Sequence, residues 1–333
     1  MGTMRFVILG AGAVGGTISG RLADTGHEVV LLARGAHAQA IRERGLRLAT
    51  PERVIEVRVP VVERPGELPL RDDDVLVLTT KTQQTAAVLD ALPRRDLPIV
   101  CAQNGVANER IALRRFADVY AMVVMLPAAH MEPGEVDAQG LPYSGLLDVG
   151  RYFHGVDEVA VSVAAALSSS GFVSEPVERI MRWKYAKLLR NLGNALQALC
   201  GLDLDAESKK QVMDLDARAR DEAVACYRAE GIDWASDEEW NARRGMQVQW
   251  APVEGRERTG GSTWQSLARG AATLEGDYLN GEIVLLGRKH GLATPVNLLL
   301  QQEAAAVARA GGPPGSVSPA DLLARLGTVG ASS

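Results

Sequence analysis

An α/β fold, with a parallel sheet in the N-terminal part and an all-helical C-terminal part, is what these 333 residues predict. Short β-branched runs alternate with longer helical patterns through roughly the first 130 residues, the arrangement that builds a parallel sheet covered on both faces. A glycine-rich turn follows the first of those runs. From Asp157 onward, alanine- and leucine-rich helical patterns displace nearly all strand signal. The length, about twice that of a common domain, suits two such parts.

The first strand is "RFVILG", followed by a small-residue helix from Val14 to Thr25. "EVVLLA", "DVLVLTT", "PIVCAQ" and "VYAMVVML" read as further strands separated by helix-like intervals. Between Leu46 and Val62 the alternation of "LRLAT" and "VIEVRVPVV" predicts an antiparallel excursion. After Pro127, "EPGEVDAQGLPYSGLLDVGRY" has turn residues at its ends and middle and reads as strands closing the sheet edge. Helical arrays are expected over Val177–Leu199, Ala206–Glu230 and Trp264–His290. The change of pattern puts the domain boundary near residue 178, giving domains 1–178 and 179–333.

"ILGAGAVGG" places Gly10-x-Gly12-x-x-Gly15 directly after a strand and at a helix start. Each glycine has its own reason: the first makes the tight turn, the second lets backbone approach a pyrophosphate, and the third lets helix pack on strand. The pyrophosphate then meets the unpaired N–H groups and positive dipole end of the helix. This context makes the N-terminal part a Rossmann-type domain. The end of the second strand chooses the dinucleotide. An acid there would hold a ribose 2′-hydroxyl; this chain has Ala33-Arg34, with Arg42 and Arg44 further on. An arginine can pair a 2′-phosphate bidentately, so NADP(H) is the expected cofactor; a bare solvated loop charge is the blander reading.

Lys81, in "LTTKTQQT", and Asn104, in "AQNGVAN", each follow a strand. Ligands of open parallel sheets gather beyond the carboxyl ends of strands, which is where the nicotinamide half would lie. Either residue taken singly could be an ordinary helix-start residue.

"RWKYAKLLRNLGNAL" carries an odd polar arc. At about 100° per residue, Lys184, Lys187, Asn191 and Asn194 share an arc of roughly 80° beside a stripe of Leu188, Leu189, Leu192, Leu196 and Leu199. Arg190 and Gln197 already supply an outward polar side, so the Lys/Asn arc borders the buried one and suits a cleft. In "TLEGDYLNGEIVLLGRKHG", Glu275 projects onto one helical face with Tyr278, Leu279 and Leu286. A carboxylate there needs a cation or hydrogen-bond donors, and Lys187 is an attractive partner; a structural ion pair is the alternative.

Composition limits the partners. Apolar residues make up 47% and charged residues 23%, as in ordinary globular enzymes, and the net charge of −5 favours neither nucleic acid nor an anionic membrane. There is no apolar run of some 18 residues and no signal-peptide pattern. Three distant cysteines and five scattered histidines suggest neither disulfides nor a metal site. The expectation is a cytoplasmic protein acting on a small molecule, with a second copy of the chain as the one macromolecular partner left open.

The glycine loop, "TTK", "QNG", "KLLRN", and "EGDYLNG" followed by "HGLATPVN" together resemble the ketopantoate reductases, from Phe6 to about Asn297. The resemblance implies NADPH-dependent reduction of a 2-oxo acid, 2-dehydropantoate to pantoate, on the route to coenzyme A. It implies that Lys187 is the general acid toward the ketone oxygen, and that Glu275 binds the substrate hydroxyl and helps set the lysine. Lys81 and Asn104 match cofactor-side residues, Asn191 a substrate-contacting asparagine, and Thr263, beside Ser262, a substrate-binding serine. Asn194 is expected to help orient substrate. Here the helix asparagines are three apart rather than four, threonine stands at the serine position, and "LPAAHMEPGEVDAQG" departs from familiar members. Lys184 is a rival to Lys187. Reduction of a different oxo acid or imine, or NADP(H) sensing without turnover, are the alternative functions.

Overall fold

A computed structural model of the chain describes residues 4–245, 247–253, 255–256 and 260–329. It forms two compact units, Met1–Lys184 with Ala235–Arg258, and Tyr185–Trp234 with Thr259–Ser333.

In the first unit, β1 (Arg5–Leu9) leads through the glycine turn to α1 (Ala13–Asp24), then β2 (Val29–Leu32) and α2 (Gly35–Arg44). There follow β3 (Leu46–Ala49), β4 (Val54–Val57), β5 (Val61–Val62), β6 (Asp74–Leu78), α3 (Thr85–Asp90), β7 (Ile99–Cys101), α4 (Asn108–Leu113) and β8 (Val119–Met122). After them come β9 (Ala128–Ala129), β10 (Glu135–Ala138), β11 (Gly140–Pro142), β12 (Val149–Arg151) and α5 (Glu158–Ser169). The main sheet has the order β12-β8-β7-β6-β1-β2-β5, parallel except for β12. Without β12 this is the 3-2-1-4-5-6 order of doubly wound nucleotide-binding sheets, with the order reversing between β1 and β6.

Because side chains alternate along a strand, one face of the sheet buries Phe6, Ile8, Val29, Leu31, Val75 and Val77 with Ile18 and Leu22 of α1. The other buries Val7, Leu9, Val30, Leu76, Leu78 and Ile99 with Leu89 and Ala112 of α3 and α4. Both faces are covered, so the strands read as continuous apolar runs.

Two sheet expectations are corrected. The 46–62 stretch is antiparallel only in its β3–β4 hairpin; β5 crosses to the main sheet and pairs in parallel with β2. Residues 135–138 do not close the main edge. β10 pairs in parallel with β3 and antiparallel with β9, forming a second sheet of order β4-β3-β10-β9. The cause is the bare face of α1: side chains at Gly16 and Gly20 would come within 2.6 Å of Val136 Cγ2 and 2.8 Å of Leu48 Cδ2, so these glycines let the second sheet lie directly on the helix. Only β12 closes the main edge, antiparallel to β8.

Helix α6 (Ile180–Asn191) starts in the first unit and ends in the second. The second unit continues with α7 (Asn194–Cys200) and α8 (Ala206–Glu230), capped by Asp205 at its start and left-handed Gly231 at its end. The chain then returns to the first unit with α9 (Asp237–Arg244) and β13 (Val248–Trp250). The boundary expected near residue 178 gave this stretch to the helical part. It belongs with the first unit because β13 pairs with β11, Arg243 grips Asp148 at 2.6 and 2.8 Å, and Arg182 grips Glu239 at 2.7 and 2.8 Å. The second unit ends with α10 (Ser262–Ala268), α11 (Asn280–His290), α12 (Pro295–Arg309) and α13 (Pro319–Val329). Its core joins Leu196 and Leu199 of α7 to Leu215 and Ala219 of α8, Leu299 and Leu300 of α12, and Leu322 of α13.

Candidate functional site

The crevice outside the carboxyl ends of β1 and β6, where the strand order reverses, is where a doubly wound sheet binds its ligand. Gly10 turns the chain with φ +119°, a conformation that needs glycine. A Cβ on Gly12 would meet nothing within 4 Å, so its backbone is open to an approaching pyrophosphate. A Cβ on Gly15 would overlap the Gly10 carbonyl oxygen and lie 2.5 Å from Thr79 Oγ1, so the helix can pack this closely only with glycine. All three demands of a dinucleotide loop are therefore met by this chain's own geometry, and the first turn of α1 carries no acid to repel phosphate.

His37 of α2 is hydrogen-bonded to the loop. Its Nδ1 accepts the Gly134 N–H at 2.9 Å, so Nε2 carries the proton and donates to the Ala11 carbonyl at 2.7 Å. Burial holds its pKa below 6.5. A proton on Nδ1 would break the Gly134 bond. The stability contributed by neutral His37 is complete above about pH 6.5 and is lost as the pH falls through the lowered folded value. His37→Gln is expected to flatten that fall. Melting temperatures taken between about pH 5 and 8 check it, and identical slopes for variant and parent would refute the assignment.

Arg34 is the N-cap residue of α2; its guanidinium is exposed and has no ion-pair partner among the described residues. Lys81 lies just beyond β6 as the N-cap of a short 3-10 turn, Thr82–Gln84, and Asn104 just beyond β7; both are half-buried. A buried polar network ties their loops together. Gln103 Nε2 donates to the Thr80 carbonyl at 2.7 Å and to Thr85 Oγ1 at 2.9 Å. Thr85 Oγ1 donates to Asn108 Oδ1 at 2.8 Å, and Asn108 Nδ2 donates to Thr82 Oγ1 at 3.1 Å. Sequence reading singled out neither Gln103 nor Asn108. A concentration of amides in "QNGVAN" directly after an apolar strand was the available signal.

Lys184 is only 3% exposed; its Nζ pairs with the fully buried Glu109 carboxylate and donates to the Gln103 carbonyl at 2.9 Å. Its ammonium is thus committed to the loop that carries Asn104. Lys187, one turn further along α6, is half-buried in the second unit.

Within the second unit, helical hydrogen bonding lapses at Leu192 and Gly193, so the expected single helix over Val177–Leu199 is instead α6 and α7. Gly193 keeps right-handed helical angles (φ −72°, ψ −7°), and a Cβ there would lie 2.5 Å from Asp216 Oδ1 of α8. The constant-angle arc therefore applies to Lys184, Lys187 and Asn191 but not strictly to Asn194. Asn191 is buried. The start of α10 docks on α7: Gly261 N–H donates to Gln197 Oε1 at 2.6 Å, and a Cβ on Gly261 would sit 3.7 Å from Asn194 Oδ1. Asn194 thereby stands beside the turn that delivers Ser262, half-buried, and Thr263, buried.

Glu275 is 7% exposed, but it is not on the helix expected to present it. It opens a 3-10 turn, Glu275–Tyr278, and Leu279 at φ −112°, ψ −90° separates that turn from α11. The shared face with Leu286 is thus corrected: burial comes from the turn's packing on α11 and α12. Asn280, which sequence reading passed over, donates to the Leu192 carbonyl at 3.2 Å and to Asn297 Oδ1 at 3.0 Å. The chain just beyond Glu275 is thereby hydrogen-bonded to the residue following Asn191. Among the described residues no group of three or more His, Cys, Asp or Glu side chains could hold a metal ion, and no helix is long and apolar enough to cross a membrane.

Two family models match the chain, ketopantoate reductase PanE/ApbA over residues 6–152 and its C-terminal counterpart over residues 179–308. The 2-dehydropantoate 2-reductase of Halobacterium salinarum is 31% identical, covering 88% of this chain and 95% of its own length. That of Pyrococcus horikoshii is 28% identical over 89% and 95%. Among solved structures, a PanE/ApbA family ketopantoate reductase from Ralstonia eutropha superposes with TM-score 0.75 at 29% identity, covering 92% of this chain and 99% of that one. A D-mandelate dehydrogenase in ternary complex with NADH and anilino(oxo)acetate superposes with TM-score 0.77 at 26% identity and the same coverage.

Proposed function

Because the chain belongs to the ketopantoate reductase family, we propose that it reduces 2-dehydropantoate to pantoate with NADPH. The observation that carries the reading is the glycine turn at the strand-order reversal, where Gly10, Gly12 and Gly15 each meet a separate demand of a bound dinucleotide. Gly12 and the first turn of α1 would hold the pyrophosphate, Arg34 the 2′-phosphate, and Lys81 and Asn104 the nicotinamide end.

The cofactor, when bound, supplies hydride to the carbonyl carbon of the substrate. The protein supplies the rest. Negative charge develops on the carbonyl oxygen during reduction, and the Lys187 ammonium stabilises it and gives it a proton. A half-buried lysine suits this step better than an arginine, whose proton is not released near neutral pH. Glu275 accepts the substrate hydroxyl and sets the lysine. Asn191, Asn194, Ser262 and Thr263 orient the carboxylate and hydroxyl ends, holding the ketone at the angle hydride transfer needs. Lys184, already committed to Glu109 and Gln103, is a positioning residue in this reading. The enzyme is assigned to the cytosol, whose reducing conditions suit its three free thiols.

The similarity to D-mandelate dehydrogenase favours one second reading, reduction of a bulkier, aromatic 2-oxo acid. Steady-state NADPH oxidation with 2-dehydropantoate and with benzoylformate separates them. The expected result is kcat/KM at least about tenfold higher for 2-dehydropantoate. The reverse ratio would establish the second reading, and oxidation with neither would refute both.

A further inference from the structure

Glu63 stands where β2 lacks its own acid. β5 runs parallel to β2 with Leu31 beside Val61 and Leu32 beside Val62, and the Ala33 N–H donates to the Val62 carbonyl at 3.0 Å. By that bond Glu63 is the cross-strand counterpart of Ala33. The Glu63 carboxylate reaches back across this register: Oε2 accepts the Gly35 N–H at 3.3 Å and Oε1 accepts from Arg42 at 2.8 Å. These bonds, the Arg42 bond first, hold its pKa below the ordinary glutamate value, so it is ionised near neutral pH. Beside it opens a surface cavity of about 480 Å³ lined by Arg42, Val61, Val62, Glu63, Arg64 and Glu67. Arg64 pairs with Glu67, leaving Arg34 as the cation of this corner without an ion-pair partner among the described residues.

The end of β2 is where a dinucleotide's adenosine ribose is read: a carboxylate accepts from a 2′-hydroxyl, and a guanidinium pairs a 2′-phosphate. This chain carries both, the carboxylate arriving from the neighbouring strand. We propose that Glu63 sets the selectivity between NADPH and NADH, opposing the 2′-phosphate by its charge and by occupying Arg42, and accepting the 2′-hydroxyl of NADH. The proposal rests on the dinucleotide-binding reading above. In its terms Arg34 draws NADPH in, and Glu63 keeps the site open to NADH.

The test is direct binding, read as dissociation constants for NADPH and NADH from quenching of protein fluorescence at low ionic strength. Glu63→Gln keeps an acceptor for Gly35 but removes the charge and frees Arg42. It is expected to tighten NADPH by roughly five- to tenfold, with NADH unchanged or weaker, and the gain should shrink as salt is added. Arg42→Ala, which leaves the carboxylate without its partner, should move the ratio of the two constants the other way. An unchanged ratio in both variants, or equal shifts for both dinucleotides, would overturn the assignment of Glu63. If the parent protein binds neither dinucleotide, the failure lies with the functional reading itself.

Discussion

Lys187→Ala is expected to lower kcat by about 10³-fold while leaving the NADPH dissociation constant within about twofold of the parent value. General-acid assistance contributes typically ~10²- to 10⁴-fold, and charge stabilisation at the same atom falls in a similar range; both are lost together when one ammonium does both jobs. The separation of the two readouts matters because Lys187 belongs to the second unit, whereas the glycine turn, Arg34, Lys81 and Asn104 belong to the first. Stopped-flow turnover and a dinucleotide titration on the same preparation check it. A parallel loss of turnover and NADPH binding would mean that Lys187 is structural.

Lys184→Met should have the second large effect, on folding rather than on chemistry. The substitution leaves the fully buried Glu109 carboxylate without its cation, and one oxygen of that carboxylate, Oε2, already has no hydrogen-bond partner among the described residues. Breaking a buried pair from one side costs about 3–5 kcal/mol, whereas replacing both partners with apolar residues of similar volume is often close to neutral. The single variant is therefore expected to lose about that much stability in urea unfolding, and Lys184→Met combined with Glu109→Leu to recover most of it. The variant should also bind NADPH less well, because the lysine fastens the carbonyl of Gln103, whose amide bridges the loops of Lys81 and Asn104. A single variant as stable as the parent would contradict this role.

The two lysines show how far a sequence pattern reaches. Placed on one helical arc in the same sequence segment, they looked like rivals. What distinguishes them is Glu109, 75 residues away, and no local period reports such a partner. The same division runs through the fold. The glycine turn, the strands on either side of it and α8 were legible because a strand, a turn residue and a cap each leave a local mark. β5 was not, since two residues paired to β2 have no period to detect. The parallel pairing of β3 with β10 and the return of residues 235–258 to the first unit depend on non-local hydrogen bonds and ion pairs. The reading of Glu275 rests on a helical face and a family pattern, and that face is an extrapolation through Leu279, where the backbone leaves the helix. Glu63 leaves no local mark either, because strand register is what places it beside Ala33.

The central claim, that this chain transfers hydride from NADPH to the ketone carbon of a 2-oxo acid, is tested most directly by isotope transfer. NADPH deuterated at the transferring position is incubated with the enzyme and 2-dehydropantoate, and the product is examined by proton NMR. The expected result is pantoate carrying one deuterium at carbon 2 for each NADPH oxidised. NADPH that binds but yields no deuterated pantoate would contradict the account.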